Sequence, residues 1–146
     1  MTTPEQNKEL VRRFNEEVFN KKNLAFLESA LADDFVEHEE TPGIDARDKS
    51  GAIQWFKQMF EAIPNAHGEI THIVASGDRV AVRTVMSGTD EGGFMPGMPA
   101  TGKSFETTAI DILRFDDDGK VAEHWGLFDA MTAMMQLGLV PAPPGS

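Results

Sequence analysis

The sequence predicts an α+β fold with helices segregated to one face of an antiparallel sheet. Three observations predict it. Apolar residues recur at helical spacing as far as Ala62, and after Gly68 runs rich in β-branched and aromatic residues with partial alternation take over. The connections Ser76-Gly77-Asp78 and Asp116-Asp117-Asp118-Gly119 are too short to hold a crossover helix, so both neighbouring pairs of runs close as antiparallel hairpins.

Thr3-Pro4-Glu5-Gln6 carries the marks of a helix start: a hydroxyl cap, proline at the first helical position and glutamine to complete a capping box. Leu10, Val11, Phe14 and Val18 then gather on one stripe. Asn23 caps a second short helix through Leu24, Leu27 and Leu31, ending near Asp33-Asp34, and a loop with Pro42-Gly43 follows. From about Arg47 to Ala62 the positions Ile53, Phe56, Phe60 and Ile63 return to helical period until Pro64 stops it. Three helices thus precede the first strand. Four strands are predicted: Ile70 to Ala75, Val80 to Met86, Phe105 to Phe115 and Val121 to Phe128. Asp129 reads as the cap of a short last helix holding Met131, Met134, Met135 and Leu137, closed by Gly138.

At 146 residues the chain is expected to form one domain over residues 1–140, with a frayed tail at 141–146. The net charge of −11, without a local basic patch, repels phosphate backbones and anionic membrane surfaces, so neither nucleic acid nor membrane is expected as a partner. The absence of cysteine removes disulfides, thiolate nucleophiles and sulfur-ligated metals. The first residues lack a signal peptide's basic start and apolar run, and no apolar stretch nears membrane-spanning length, so a cytoplasmic protein is expected.

Gly97-Met98-Pro99-Ala100-Thr101-Gly102-Lys103-Ser104 satisfies the phosphate-loop pattern letter by letter. Context excludes it, because that loop must open a helix whose N-terminal N–H groups hold phosphate, and here it opens a strand. The glycines fit a hairpin connection instead, with Phe94, Met95 and Met98 as a flexible lid. Asp116, Asp118 and Gly119 suggest a calcium loop, but Arg114 and Trp125 occupy positions that need oxygen ligands. His38-Glu39-Glu40 lacks the second histidine of a zinc-protease helix. His67 and His72 read as surface or strand residues.

A polar pair inside the apolar strands is more informative. Alternation puts Phe105, Thr107, Ala109, Asp111, Leu113 and Phe115 on one face of the third strand, with Ile110 and Ile112 opposite. In the fourth strand Ala122, His124, Gly126 and Phe128 share a face, and Val121, Glu123, Trp125 and Leu127 share the other. A turn at Asp117-Asp118 sets Asp111 opposite or diagonal to His124, within reach of cross-strand pairing beneath the helices. A carboxylate and an imidazole there can carry a proton or simply satisfy one another. His38 is a third candidate from the loop after the second helix, and with His124 and Asp111 it would complete a two-histidine, one-carboxylate metal set if all three converged.

Gly97-Met98-Pro99-Ala100-Thr101-Gly102-Lys103, Ile110-Asp111-Ile112-Leu113-Arg114-Phe115, Asp118-Gly119-Lys120-Val121-Ala122-Glu123-His124-Trp125 and Gln136-Leu137-Gly138, in that order, resemble the SnoaL-like polyketide cyclases, or ester cyclases, over about Glu5 to Leu139. The resemblance implies a cone-shaped fold of helices on a curved sheet, shared with nuclear transport factor 2 and ketosteroid isomerase, around an apolar pocket and usually as a homodimer. It implies aldol-type ring closure of a polyketide methyl ester by acid–base chemistry, without metal or organic cofactor. The family's catalytic aspartate aligns with Gly126 and its assisting histidine with Asp111, so this chain departs from the pattern at both positions. The sequence reading therefore assigns Asp111 as general base and His124 as its partner or the proton donor. A small apolar carbonyl ligand is expected against His38, Phe14, Phe35, Phe56, Phe60, Val82, Met86, Phe105 and Leu113. A non-catalytic binding or dimerisation module of the same fold is the alternative.

Overall fold

The computed structural model describes residues 1–40 and 47–145. Thr3 caps α1 (Pro4–Phe14): its hydroxyl accepts from Gln6 N, and the Gln6 side chain accepts from Thr3 N. The helix then widens into a π-helical turn, Asn15–Asn20, that carries Val18 fully into the core. Asn20 and Asn15 grip the backbone of Gly68, whose missing Cβ would stand 2.5 Å from Asn15 Oδ1. That contact seats the end of α1 on the sheet.

Asn23 caps α2 (Leu24–Ala30), as expected, but the helix ends one turn early. Leu31 is already extended (φ −89°, ψ 137°), and Leu31–Glu37 forms β1, a strand the periodicity did not predict. The correction has a physical cause. Leu24, Leu27 and Leu31 keep helical spacing, while the burial of Leu31, Ala32 and Phe35 does not alternate, because the strand's register slips between Leu31 and Val36. What stabilises β1 is parallel pairing with a strand far along the chain, which local pattern cannot reveal.

The loop predicted around Pro42-Gly43 lies outside the described residues. Asp48 caps α3 (Lys49–Ala62), and four antiparallel-linked strands follow: β2 (His67–Ser76), β3 (Arg79–Thr89), β4 (Ser104–Phe115) and β5 (Val121–Phe128). The sheet order is β1-β5-β4-β3-β2, with β1 parallel to β5 at one edge. Gly77 and Gly119 take φ of +59° and +75° at the two hairpin turns, where glycine meets no Cβ penalty. Asp129 caps α4 (Ala130–Gln136), and Gly138 stands in the left-handed region just after it. Residues 141–145 form no helix or strand, and Ser146 lies outside the described residues.

The larger core cluster joins α1, α2 and β1 to the sheet through Val11, Val18, Leu27, Phe35, Val80 and Phe115, and a smaller one gathers Ile63, Phe105, Ala133 and Leu137 at the other end. Residues 97–104 lead into β4 and not into a helix, so the phosphate-loop lettering has no phosphate-binding context. Among the described residues no helix is long and apolar enough to cross a membrane.

Candidate active site

The β4–β5 register decides what meets what. Asp111 pairs with Gly126 and Leu113 with His124, so the acid and the imidazole are diagonal neighbours on one face. An irregularity at the hairpin end moves one expected residue: Arg114 pairs with Glu123 but Phe115 with Val121, leaving Ala122 as the extra residue. Val121 therefore turns inward and is buried, against the expectation that it shared the outer face with Glu123.

His124 Nε2 donates to Asp111 Oδ1 at 2.7 Å. Its Nδ1 donates to Glu37, 2.7 Å from Oε1 and 2.8 Å from Oε2. Glu37 comes from the end of β1, where it stands level with His124 in the parallel ladder. Two residues on, Glu39 lies with Oε2 3.9 Å from His124 Nδ1, too far for a hydrogen bond but close enough for its charge to be felt. One imidazole thus sits among three carboxyl groups, each side chain between 16 and 26 % exposed.

Burial works against charge on His124, but hydrogen bonds to Asp111 and Glu37 and the charges behind them overcome it, raising the imidazole from 6.5 to about 10. The ring is an imidazolium at neutral pH, with both N–H groups engaged. Glu39 moves the other way on the titration scale. Burial raises its carboxyl from 4.5 to about 7; His124 pulls against that rise, and Asp111 and Glu37 add to it.

Gly126 is the floor of this group. A Cβ there would stand 2.5 Å from Asp111 Oδ1, 2.6 Å from Glu39 Oε2 and 2.9 Å from His124 Cε1. The carboxyl groups occupy the space that a side chain at 126 would need. An aspartate at 126 and the present Asp111–His124–Glu39 arrangement exclude one another unless those side chains shift.

The group opens into a cavity of about 930 Å³, within the range of small-molecule sites. Of the anticipated lining, Phe14, Phe35 and Phe56 border it from the helices and β1, and Val82, Met86, Phe105 and Leu113 border it from the sheet. Phe60 does not. It packs on Phe56, with the Lys22 ammonium over its ring, because the helical turn from Phe56 carries it away from the hollow. His38 borders the cavity, but its ring stacks on Trp125 at 4.8 Å and meets Glu123 Oε1 at 3.3 Å. β1 ends at Glu37, and just beyond it His38 N donates to His124 O while its ring lies against Trp125 and Glu123 instead of joining Glu37 at His124. The set His38, His124 and Asp111 therefore does not converge on one cation. Glu37, Glu39 and His124 do offer ligand atoms within 4.8 Å of one another, although a cation there would have to displace the imidazole's proton from Glu37.

The anticipated lid is pinned. Asp90 is fully buried and accepts from Gly93 N, Thr101 N and the Thr101 hydroxyl, which ties both ends of the loop together. Phe94 packs on Phe105 and Phe128 beside the cavity. Sequence reasoning missed Asp90, Glu37 and Glu39. The alternating Glu37-His38-Glu39 would have pointed to the last two had β1 been recognised.

The model of the SnoaL-like polyketide cyclase family matches residues 9–137. The chain is 32% identical over 97 residues to the aklanonic acid methyl ester cyclase DnrD of Streptomyces peucetius, a match covering 66% of this chain and 64% of that protein, just under two thirds of its length. The structure is similar to IdmH of Streptomyces antibioticus, described as a candidate polyketide cyclase, with TM-score 0.78 and 31% identity over 91% of this chain and 99% of that one. It is also similar to AclR of Streptomyces galilaeus, described as a candidate hydroxylase, with TM-score 0.83 and 26% identity over 98% of this chain and 87% of that one.

Proposed function

Because this chain belongs to the SnoaL-like polyketide cyclase family, we propose that it performs cofactor-independent acid–base chemistry on a small apolar carbonyl compound. The reaction is an aldol-type cyclisation, an isomerisation or a dehydration. The observation that carries the reading is a carboxylate hydrogen-bonded to an imidazolium at the wall of a largely apolar hollow. Such a site holds a proton acceptor and a positive charge to balance it. Asp111 acts as general base on a C–H flanked by carbonyl groups. His124 acts as its partner more than as a donor, since releasing either N–H would break a short bond to Asp111 or Glu37. The similarity to an aklanonic acid methyl ester cyclase makes a polyketide methyl ester the most specific substrate class.

A non-catalytic binding module remains the second reading, and Gly126 at the family's catalytic position favours it. A β-keto ester separates the two. In D2O the wild-type protein is expected to speed loss of the C2 protons of ethyl benzoylacetate well above the buffer rate at the same pH. Saturable binding without faster exchange would leave only the binding module.

The outer sheet face supports a homodimer. Ile110 is 56% and Leu127 80% exposed there, beside Trp125, an apolar surface that a second copy would cover. Sedimentation equilibrium is expected to give twice the chain mass, and the mass of one chain at micromolar concentration would remove the dimer.

A further inference from the structure

We propose that Glu39 is a second catalytic acid–base residue of this site, delivering a proton to the substrate's carbonyl oxygen while Asp111 removes one from carbon. The inference rests on the acid–base reading above and adds a residue that the family alignment does not supply. Its starting point is an unmet need. An aldol closure requires a donor at the accepting oxygen, and His124 has both N–H groups committed to Asp111 and Glu37.

Glu39 is placed to meet that need. Its Oε2 and Asp111 Oδ1 both lie within 2.6 Å of the point where a Cβ on Gly126 would stand. The two oxygens are thus no farther apart than the sum of those short distances, and they flank the one spot on the β5 wall where no side chain protrudes. Both residues line the cavity, so a substrate lying there over the two carboxyl groups meets both. The charged groups facing Glu39 are Asp111 from β4, His124 from β5 and Glu37 from β1, and Glu61 of α3 lines the same cavity. Burial with two carboxylates nearby holds the Glu39 proton to about pH 7, which suits a donor working near neutrality.

The step balances. Asp111 takes the proton as the C–H bond breaks and its electron pair forms the new C–C bond. The π electrons of the accepting carbonyl move to oxygen, which takes the proton of Glu39. Asp111 is left neutral and Glu39 ionised. A single water between the two carboxyl groups then returns the proton from Asp111 to Glu39 and resets the site.

Exchange of ethyl benzoylacetate in D2O tests this, with Asp111 opening the C–H bond and Glu39 protonating the enolate oxygen. The wild-type kcat, corrected for buffer exchange, is expected to fall as pH rises through about 7, because only protonated Glu39 donates. Glu39→Gln, close in shape and still a hydrogen-bond donor, is expected to lower kcat by about ten- to a hundred-fold, the weak end of general acid catalysis, and to flatten that alkaline limb. Glu39→Asp should keep the limb. Carbon-13 NMR of the carboxyl groups gives a readout without substrate: one group titrating near 7 in the wild type and absent from Glu39→Gln. A Glu39→Gln protein with wild-type kcat and an unchanged pH profile overturns the role of Glu39 and leaves the acid–base function standing. A wild-type protein that does not speed exchange overturns both.

Discussion

Asp111→Asn is expected to lower kcat for β-keto ester exchange by about two to four orders of magnitude, the range of a lost general base. Affinity should change little. The amide keeps the volume of the carboxyl and its oxygen can still accept from His124 Nε2, so the cavity and the β4–β5 pairing persist. What the amide lacks is an oxygen basic enough to take a proton from carbon. Loss of rate at preserved binding is therefore the mark of chemistry, and a variant as active as the wild type would remove Asp111 from the mechanism. A companion variant sharpens the point. Combining Asp111→Asn with Gly126→Asp puts an aspartate at the position where the family resemblance implies one, yet no recovery is expected. The new Cβ would press on the side chain at 111 and on Glu39 and His124, all within 2.9 Å of it. Chemistry at 111 and chemistry at 126 require different packing of the same few side chains.

The pair at the centre of this argument was legible because both members sit on one hairpin. Strand alternation and a four-residue turn sufficed to bring Asp111 diagonal to His124, even though the irregularity at Ala122 changed the side on which Val121 lies. The α+β architecture was legible for the same reason: helical and strand periods are local. Glu37 and Glu39 were not. Glu37 reaches the site at the end of β1 and Glu39 two residues beyond it; the partner of Glu37, His124, lies 87 residues away, and the burial pattern of β1 follows no simple alternation. Phe60 went astray for a smaller reason, since one helical stripe can feed both a cavity wall and solid core. Of the two carboxylates that hold the charge on His124, Asp111 lies on the predicted hairpin and Glu37 on the one strand that sequence period could not show.

Removing the cation from this cluster should be felt across the whole fold. His124→Gln leaves Asp111, Glu37 and Glu39 facing one another without a positive charge, and is expected to cost about 3–5 kcal/mol at neutral pH, the range for breaking one side of a buried pair. The side chain is 19% exposed, so the lower half of that range applies. The size of the loss must depend on pH. A histidine raised from 6.5 to about 10 contributes stability that is complete below 6.5 and disappears as pH climbs through 10. Glu39 acts in the adjoining window: raised from 4.5 to about 7, its ionisation opposes folding by an amount that is absent below 4.5 and complete above 7. From these two groups the wild-type protein should lose stability steadily between pH 4.5 and 10. The glutamine variant should lack the alkaline part of that decline, so the two proteins converge as the imidazolium of the wild type discharges. Urea midpoints measured from pH 5 to 10 test this directly. A gap that stays constant from pH 6.5 to 10 would mean that His124 supports the fold by shape alone, and that the charge placed here between Asp111 and Glu37 is absent.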